Sequence, residues 1–138
     1  MTRFILALAA LVVCFATYGQ TKPVKIVFDI TSKDTLTHRA VIRHVTGMAK
    51  SYPDSKFEVV IYGGAISMVT LAKSSVSKSI QQLGTNPNVA FKVCGETMKR
   101  YQIEKEQLVP GVQVVPDAIL EIVMRQGEGW GYIKEAHN

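Results

Sequence analysis

The chain has 138 residues, with 16 Lys and Arg against 11 Asp and Glu and a formal net charge of +5. This length suits one domain that buries most of its apolar surface without disulfides or structural metals. The basic residues are scattered, and no basic run carries interleaved aromatic side chains. This pattern argues against nucleic-acid binding and predicts that lysines such as Lys92 and Lys99 are solvated.

The first 19 residues have the pattern of an export leader. Arg3 precedes an uncharged, mainly apolar run over residues 4–16, and Gly19 is a small residue at a suitable cleavage point. The run is shorter than the roughly 20 residues that a membrane span needs. We therefore expect a signal peptide at residues 1–19, a single domain at 20–138, no membrane span, and a periplasmic or secreted protein.

Cleavage of this leader would leave Cys94 as the single thiol. Cys14 lies inside the apolar run and would be removed with it. A lone cysteine in an exported chain has no internal disulfide partner. Cys94 is therefore expected to be buried, paired with another molecule, or reactive.

Strand-like and helix-like segments alternate along the rest of the chain. In chain order the pattern predicts a strand at 24–30, a helix at 35–51, a strand at 57–62, helices at 65–71 and 74–83, a strand at 89–93, helices at 96–102 and 103–108, a strand at 112–115, a helix at 117–126 and a strand at 130–133. The first strand is apolar at nearly every position, as expected when both faces of a sheet are covered. We therefore predict an α/β domain with a mainly parallel sheet of about five strands.

Candidate site residues follow three of the predicted strands. They are Asp29, the pair Gly63 and Gly64, and the pair Cys94 and Gly95. Ligands bind at the carboxyl ends of the strands in open parallel sheets. Cys94 opens a predicted helix, whose first N–H groups and dipole would stabilise a thiolate, and Gly95 would let another group approach the sulfur. The alternative is that Cys94 is a small buried apolar residue.

Nearby polar residues have competing interpretations. Asp29 would either orient a ligand or serve as a turn or capping residue, and we favour the second. Glu96 would accept a proton near the sulfur or add a favourable charge to a first helical turn; a carboxylate facing the sulfur would disfavour the thiolate. His38 and His44 are six residues apart on one helix and are predicted to be solvated. No metal site, dinucleotide fingerprint or phosphate loop is indicated, and no cofactor is predicted.

Four segments carry a family pattern: residues 60–63, 89–100, 108–112 and 126–132. They resemble the DsrE/DsrF-like (TusD-like) sulfur-relay superfamily, and in particular its small exported members. The resemblance implies a three-layer α/β/α sandwich and a homo-oligomer, either a trimer or a hexamer. It also implies that Cys94 accepts sulfur as a persulfide and passes it on, so a sulfur donor or acceptor protein is an expected partner. From the placement of Cys94 at a helix start, we expect Gly95 and the following amides, those of Glu96 and Thr97, to hold the bound anion.

Two functions are consistent with these patterns. The first is an exported persulfide carrier or sulfur-transfer protein that uses Cys94. The second is a non-enzymatic module that binds a small ligand or assembles into oligomers, with Cys94 as a structural residue. The leader separates this chain from the cytoplasmic relay proteins, and no second catalytic group assigns an enzymatic reaction.

Overall fold

The alternation of apolar strands and amphipathic helices is present in the computed structural model, which describes residues 22–136. The elements are β1 (Lys25–Ile30), α1 (Thr35–Ser51), β2 (Lys56–Ile61), a 3-10 helix (Gly63–Met68), α2 (Ser77–Leu83), β3 (Val89–Cys94), α3 (Gly95–Tyr101), a second 3-10 helix (Lys105–Gln107), β4 (Gln113–Val115), α4 (Ala118–Gly127) and β5 (Gly131–Lys134). The predicted leader lies outside the described residues. None of the described helices is long and apolar enough to cross a membrane.

The five strands form one sheet in the order β4-β3-β2-β1-β5. Every pairing between neighbours is parallel, which confirms the predicted α/β fold. Because the strands all point the same way, the ends of β1, β2 and β3 meet at one edge of the sheet. The candidate residues predicted from the sequence lie at or just beyond these ends.

The two faces of the sheet bury different clusters. Successive side chains of a strand point to opposite faces. One face carries Phe28, Val59 and Phe91, and α1, α2 and α3 all contribute side chains to the large core above it. Burying each phenylalanine contributes roughly 1.5–3 kcal/mol. The other face carries Val27, Val60 and Cys94, and only α4 among the described α-helices packs there. The sandwich is therefore three-layered, as the family resemblance implies, with a thin second layer.

Helix α1 spans the predicted residues, and one expectation about it is wrong. Its first turn is capped by the Asp34 side chain, which accepts a hydrogen bond from the N–H of Leu36 at 2.9 Å. His38 is buried rather than solvated, and its Nε2 lies 2.8 Å from the carbonyl oxygen of Ser32. Residues 38, 41 and 45 share one helical face, so His38 belongs to the buried stripe with Val41 and Val45.

Two short predicted helices also differ from the structure. The helix expected at 65–71 is the 3-10 helix at residues 63–68, and Thr70 instead forms an antiparallel bridge with Leu108. The helix expected from residue 74 begins at Ser77, because Ser74 Oγ accepts the N–H of Val76 in a local turn.

Candidate functional site

Cys94 ends β3 on the face that α4 covers. It is 6% exposed and packs in a cluster with Val27, Val60 and Ala118. Its sulfur is 3.4 Å from the backbone nitrogen of Ala118, which donates a hydrogen bond to it. The thiol is therefore both buried and hydrogen-bonded.

The first three helical N–H groups of α4 all have partners. The N–H groups at the start of a helix have no carbonyl partner inside the helix. Ile119 and Leu120 donate theirs to the Asp117 side chain, while the N–H of Glu121 makes the first regular helical hydrogen bond, to the Asp117 carbonyl. The N–H of Ala118 is left for the sulfur of Cys94. This donor and the positive end of the helix dipole both favour negative charge on the sulfur.

Gly95 allows the segment that leads into α4 to lie close to Cys94. A Cβ atom added at Gly95 would be 3.3 Å from the carbonyl oxygen of Val115 and 3.5 Å from that of Pro116. The first of these contacts is tighter than usual for a Cβ atom, and the second is an ordinary van der Waals contact. The group that Gly95 admits is therefore the chain's own β4–α4 connection, which brings the Ala118 N–H to the sulfur.

The helix that follows Cys94 does not provide the donor that the sequence suggested. Cys94 occupies the N-cap position of α3, but its side chain makes no capping hydrogen bond there. Glu96 is exposed, and its carboxylate pairs with Lys99 at 2.7 Å on the surface. Its charge is directed to that surface pair, so the expected conflict between Glu96 and a thiolate is weak.

The other predicted residues line the same edge of the sheet. The N–H of Gly63 donates to Thr97 Oγ1 at 3.1 Å, which ties the end of β2 to α3. Gly63 has a φ of 57°, a left-handed conformation that suits glycine. A Cβ atom added at Gly64 would be 3.2 Å from the carbonyl oxygen of Thr31. Gly63, Gly64 and Thr97 therefore pack the turn beside the site rather than form an open cradle.

Asp29 belongs to a buried polar cluster rather than to a turn or helix cap. It is 5% exposed, and its Oδ2 accepts from the Tyr132 hydroxyl at 2.6 Å. Its Oδ1 accepts from Lys134 Nζ at 2.9 Å, and the same ammonium donates to Thr31 Oγ1 at 2.8 Å. The hydrogen bond to Asp29, with burial, raises the pKa of Tyr132 to about 12. The carboxylate fixes β5 against β1.

Tyr62 connects this polar cluster to Cys94. By the strand register, Tyr62 and Cys94 are neighbours just where β2 and β3 end. Lys134 Nζ lies 5.6 Å from the centre of the Tyr62 ring. Burial and the charge of Asp29 raise the pKa of Tyr62 to about 12, so its phenol is neutral at physiological pH. The site therefore contains a neutral hydroxyl next to the cysteine.

A second group of polar residues, here called the ion cluster, lies beneath α4: Glu58, Lys92, Glu121 and Arg125. Lys92 Nζ is 3.0 Å from Glu58 Oε2 and 2.7 Å from Glu121 Oε1. Arg125 Nε is 3.0 Å from Glu58 Oε2, and its Nη2 is 3.0 Å from Glu121 Oε1. Lys92 is 9% exposed, so the expectation of a solvated lysine is wrong. The lysine lies inward because two carboxylates are there to pair with it.

The two carboxyl groups of the ion cluster differ in their ionisation. Burial raises the pKa of Glu58, although Lys92 and Arg125 oppose the shift. The pKa of Glu121 is lowered: burial opposes its ionisation, but hydrogen bonds from Lys92 and Glu58 and the nearby cations outweigh it. Glu58 Oε1 is buried without a hydrogen-bond partner. Glu58 therefore carries the larger desolvation cost of the two.

Several residues of this region were not predicted from the sequence. Ala118 contributes a backbone atom, for which the sequence has no side-chain signal. Tyr62, Tyr132 and Lys134 become neighbours only through strand pairing. Glu58 and Lys92 did carry a signal, because each interrupts an otherwise apolar central strand. A charge at such a position is rarely buried without a partner.

Access to the sulfur is limited in this conformation. A groove of about 600 Å³ runs beside Gly95, Met98 and Val114, but Cys94 is not among its lining residues. Within residues 22–136, no group of three or more His, Cys, Asp or Glu side chains could hold a metal ion.

A family model matches most of the chain. The model for the DsrE/DsrF-like family matches residues 25–134, from the start of β1 to the end of β5. The chain belongs to the DsrE/DsrF-like family. Members of this family are associated with sulfur relay. No curated protein sequence matches the chain significantly.

Three solved structures are similar to the chain. A protein of unknown function from Methanobacterium thermoautotrophicum, MTH1491, is 28% identical with a TM-score of 0.75, over 80% of this chain and 98% of that one. The YchN protein of E. coli is 12% identical with a TM-score of 0.66, over 83% and 99% of the two chains. BT1422 from Bacteroides thetaiotaomicron is 9% identical with a TM-score of 0.65, over 80% and 93%. The last two likenesses support the fold alone.

Proposed function

We propose that this protein is an exported sulfur carrier in which Cys94 holds sulfane sulfur as a persulfide. The observation that carries the proposal is the hydrogen bond from the Ala118 N–H, at the start of α4, to the Cys94 sulfur. That placement favours a thiolate, the form of cysteine that attacks sulfur. Membership of a family associated with sulfur relay supports the same chemistry.

The loading step needs no oxidant. The Cys94 thiolate attacks the outer sulfur of a donor persulfide, R–S–SH, and a new S–S bond forms to Sγ. The S–S bond of the donor breaks, its electron pair leaves on R–S⁻, and this thiolate takes up a proton from water. Attack by an acceptor thiolate on the outer sulfur of Cys94 reverses the exchange. The residues that we expect around the bound anion are Gly95, Glu96 and Thr97, of which Gly95 and Thr97 are packed nearby.

The leader pattern of residues 1–19 supports a periplasmic or secreted location for this carrier. Outside the reducing cytoplasm, the carrier would need a donor and an acceptor in its own compartment. The lone mature thiol would suit such a carrier, because a second internal cysteine would resolve the persulfide to a disulfide.

The outward face of α4 supports self-association as part of this proposal. Four apolar side chains on this helix are each more than half exposed: Ile119, Leu120, Val123 and Met124. A contiguous exposed apolar patch of this kind is typical of an interface. We propose a homo-oligomer in which a second copy covers this face, with donor and acceptor proteins as further partners.

Mass spectrometry tests the carrier directly. The protein, purified after export, is treated with a low-molecular-weight persulfide, and the peptide that contains Cys94 is expected to gain the mass of one sulfur atom. Cys94→Ser is the matched control and should gain none. An unmodified Cys94, under conditions that load a known carrier, would overturn the proposal.

One observation favours a second candidate function, an assembly or binding module with a structural cysteine. Cys94 is 6% exposed and packs with apolar side chains, as a structural residue does. In that case Cys94→Ser leaves oligomer formation and ligand binding unchanged, and the thiol resists both alkylation and sulfur loading in the folded protein. A carrier loses its loading with the same substitution.

A further inference from the structure

The ion cluster connects α4 to two different strands. Lys92 on β3 pairs with Glu121 on α4 at 2.7 Å, and Glu58 on β2 pairs with Arg125 on α4 at 3.0 Å. Glu121 and Arg125 are one turn apart on α4. The helix is therefore held at two points along its length.

The hydrogen bond to Cys94 is a further contact between β3 and α4. Lys92 and Cys94 are two residues apart on β3, so both side chains point towards α4. Ala118 and Glu121 are three residues apart on α4 and face the sheet together. The Lys92–Glu121 ion pair and the Cys94–Ala118 hydrogen bond thus join the same strand to the same helix about one turn apart.

Stability alone is a poor reason for this cluster. Burying an ion pair costs desolvation that its attraction only partly recovers, and well-packed apolar residues are often equally or more stabilising. The penalty is visible in Glu58, whose Oε1 is buried without a partner. Charged pairs, however, fix distance and register in a way that apolar contacts do not. On this face α4 also makes apolar contacts, through a small cluster that includes Ala118 and Ile122.

We propose that Glu58, Lys92, Glu121 and Arg125 are positioning residues for Cys94: they hold α4 where its first N–H meets the sulfur. The cluster thereby sets the reactivity of the thiol, although none of its four side chains touches the reacting atom. This inference deepens the proposed carrier function and rests on it for its biological meaning. The reactivity of the thiol can nevertheless be measured without any sulfur donor.

The substitution Glu121→Met separates positioning from a direct effect of charge. Removing a negative charge near Cys94 would by itself favour the thiolate and speed its alkylation. Loosening α4 instead moves the Ala118 N–H away from the sulfur, which slows the alkylation. We expect the iodoacetamide rate at about pH 7.5 to fall roughly three- to tenfold, the size of one ordinary hydrogen bond. The rate at about pH 10, which is above the ordinary pKa of a cysteine thiol, reports access to the sulfur.

The matched control is Glu128→Met. Glu128 pairs with the same Arg125, at 2.9 Å, but it lies at the end of α4 and makes no link to the sheet. This variant also loses one negative charge. Its iodoacetamide rate at the lower pH, divided by its rate at the higher pH, should equal the wild-type ratio. If Glu121→Met does not fold, Glu58→Gln replaces it, because the amide keeps the shape and removes the charge that binds Arg125.

A double mutant decides whether the effect passes through Ala118. Ala118→Pro removes the N–H itself. If the ion cluster acts through that N–H, adding Glu121→Met to Ala118→Pro causes no further fall in the iodoacetamide rate at the lower pH relative to the rate at the higher pH. A faster reaction in Glu121→Met, or additive losses in the double mutant, would overturn the inference. If Glu121→Met shifts the ratio of the alkylation rates but Cys94 of the wild type never gains a persulfide, the positioning role stands and the carrier function is rejected.

Discussion

The backbone nitrogen of Ala118 lies 3.4 Å from the sulfur of Cys94, which is 24 residues earlier in the chain. The cysteine therefore meets the start of a helix other than the one that it opens. The β4–α4 connection makes this possible by passing against Gly95, where a side chain would crowd it. The sulfur and its donor come from two neighbouring β–α units of the sheet.

Removing this donor should slow the reactions of Cys94. Proline suits the first position of a helix, which Ala118 occupies, and the preceding Asp117 is already extended, as a residue before proline must be. We expect Ala118→Pro to lower the iodoacetamide rate at about pH 7.5 roughly three- to tenfold. Ala118→Gly keeps the N–H and should react like the wild type. Circular dichroism checks that both variants fold, and equal rates in Ala118→Pro and Ala118→Gly would contradict the prediction.

Removing the lysine of the ion cluster should destabilise the fold in a pH-dependent way. Lys92→Met leaves the buried carboxylate of Glu58 with one cation fewer, at an expected cost of about 3 kcal/mol near neutral pH. Lys92 opposes the raised pKa of Glu58, so the substitution raises that pKa further. A raised carboxyl pKa gives stability that is present below the unfolded value and is lost as the pH rises through the folded value. The deficit in Lys92→Met should therefore shrink between about pH 7 and pH 5.

Urea titrations at several pH values measure this deficit. The control is Lys99→Met, which breaks the exposed pair with Glu96 and should leave the stability nearly unchanged at every pH. A deficit in Lys92→Met that is the same at every pH would show that Glu58 does not respond to the lysine.

The hydrogen bond between Tyr132 and Asp29 should affect how the stability of the protein changes at alkaline pH. It raises the pKa of Tyr132 to about 12. The folded protein therefore keeps a proton that the unfolded chain loses above its ordinary value near 10. Stability is present below the unfolded value and falls as the pH rises towards the folded one.

As the pH rises above the ordinary pKa of tyrosine, the variant Tyr132→Phe should lose less stability than the wild type does. Part of the loss remains, because Tyr62 also has a pKa of about 12. Thermal melting at about pH 9, 10 and 11 compares the two proteins. If the melting temperatures of the two proteins fall in parallel as the pH rises, the Tyr132 hydroxyl does not donate to Asp29 in solution.

A charge on the outward face of α4 should disrupt self-association. Val123 is 58% exposed on the helix that covers Cys94. We expect the wild type to sediment as an oligomer and Val123→Asp as a monomer, because the carboxylate would be desolvated in an apolar interface. Leu71→Asp is the control, since Leu71 is 49% exposed but belongs to a different segment, whose backbone is hydrogen-bonded to Gln107. A monomeric wild type, or an unchanged Val123→Asp, would contradict the proposed interface.

Local patterns in the sequence predicted most of the fold. The helix at residues 35–51 and the three central strands follow from side-chain periodicity, which depends only on neighbours along the chain. The same reasoning misplaced the short elements around residues 63–77, where side-chain and backbone turns end the helices. It also placed Cys94 at a strand end, beside the residues that the structure brings to that edge.

Long-range packing decided the rest. The sequence by itself determined a parallel α/β sheet with Cys94 at its carboxyl edge, because the alternation of strand-like and helix-like segments depends on residues that are close together in the chain. Only the tertiary structure decided that Lys92 is buried between two carboxylates and that the donor to the sulfur comes from Ala118. Both depend on where α4 settles on the sheet, and that position is set by contacts between residues far apart in the chain.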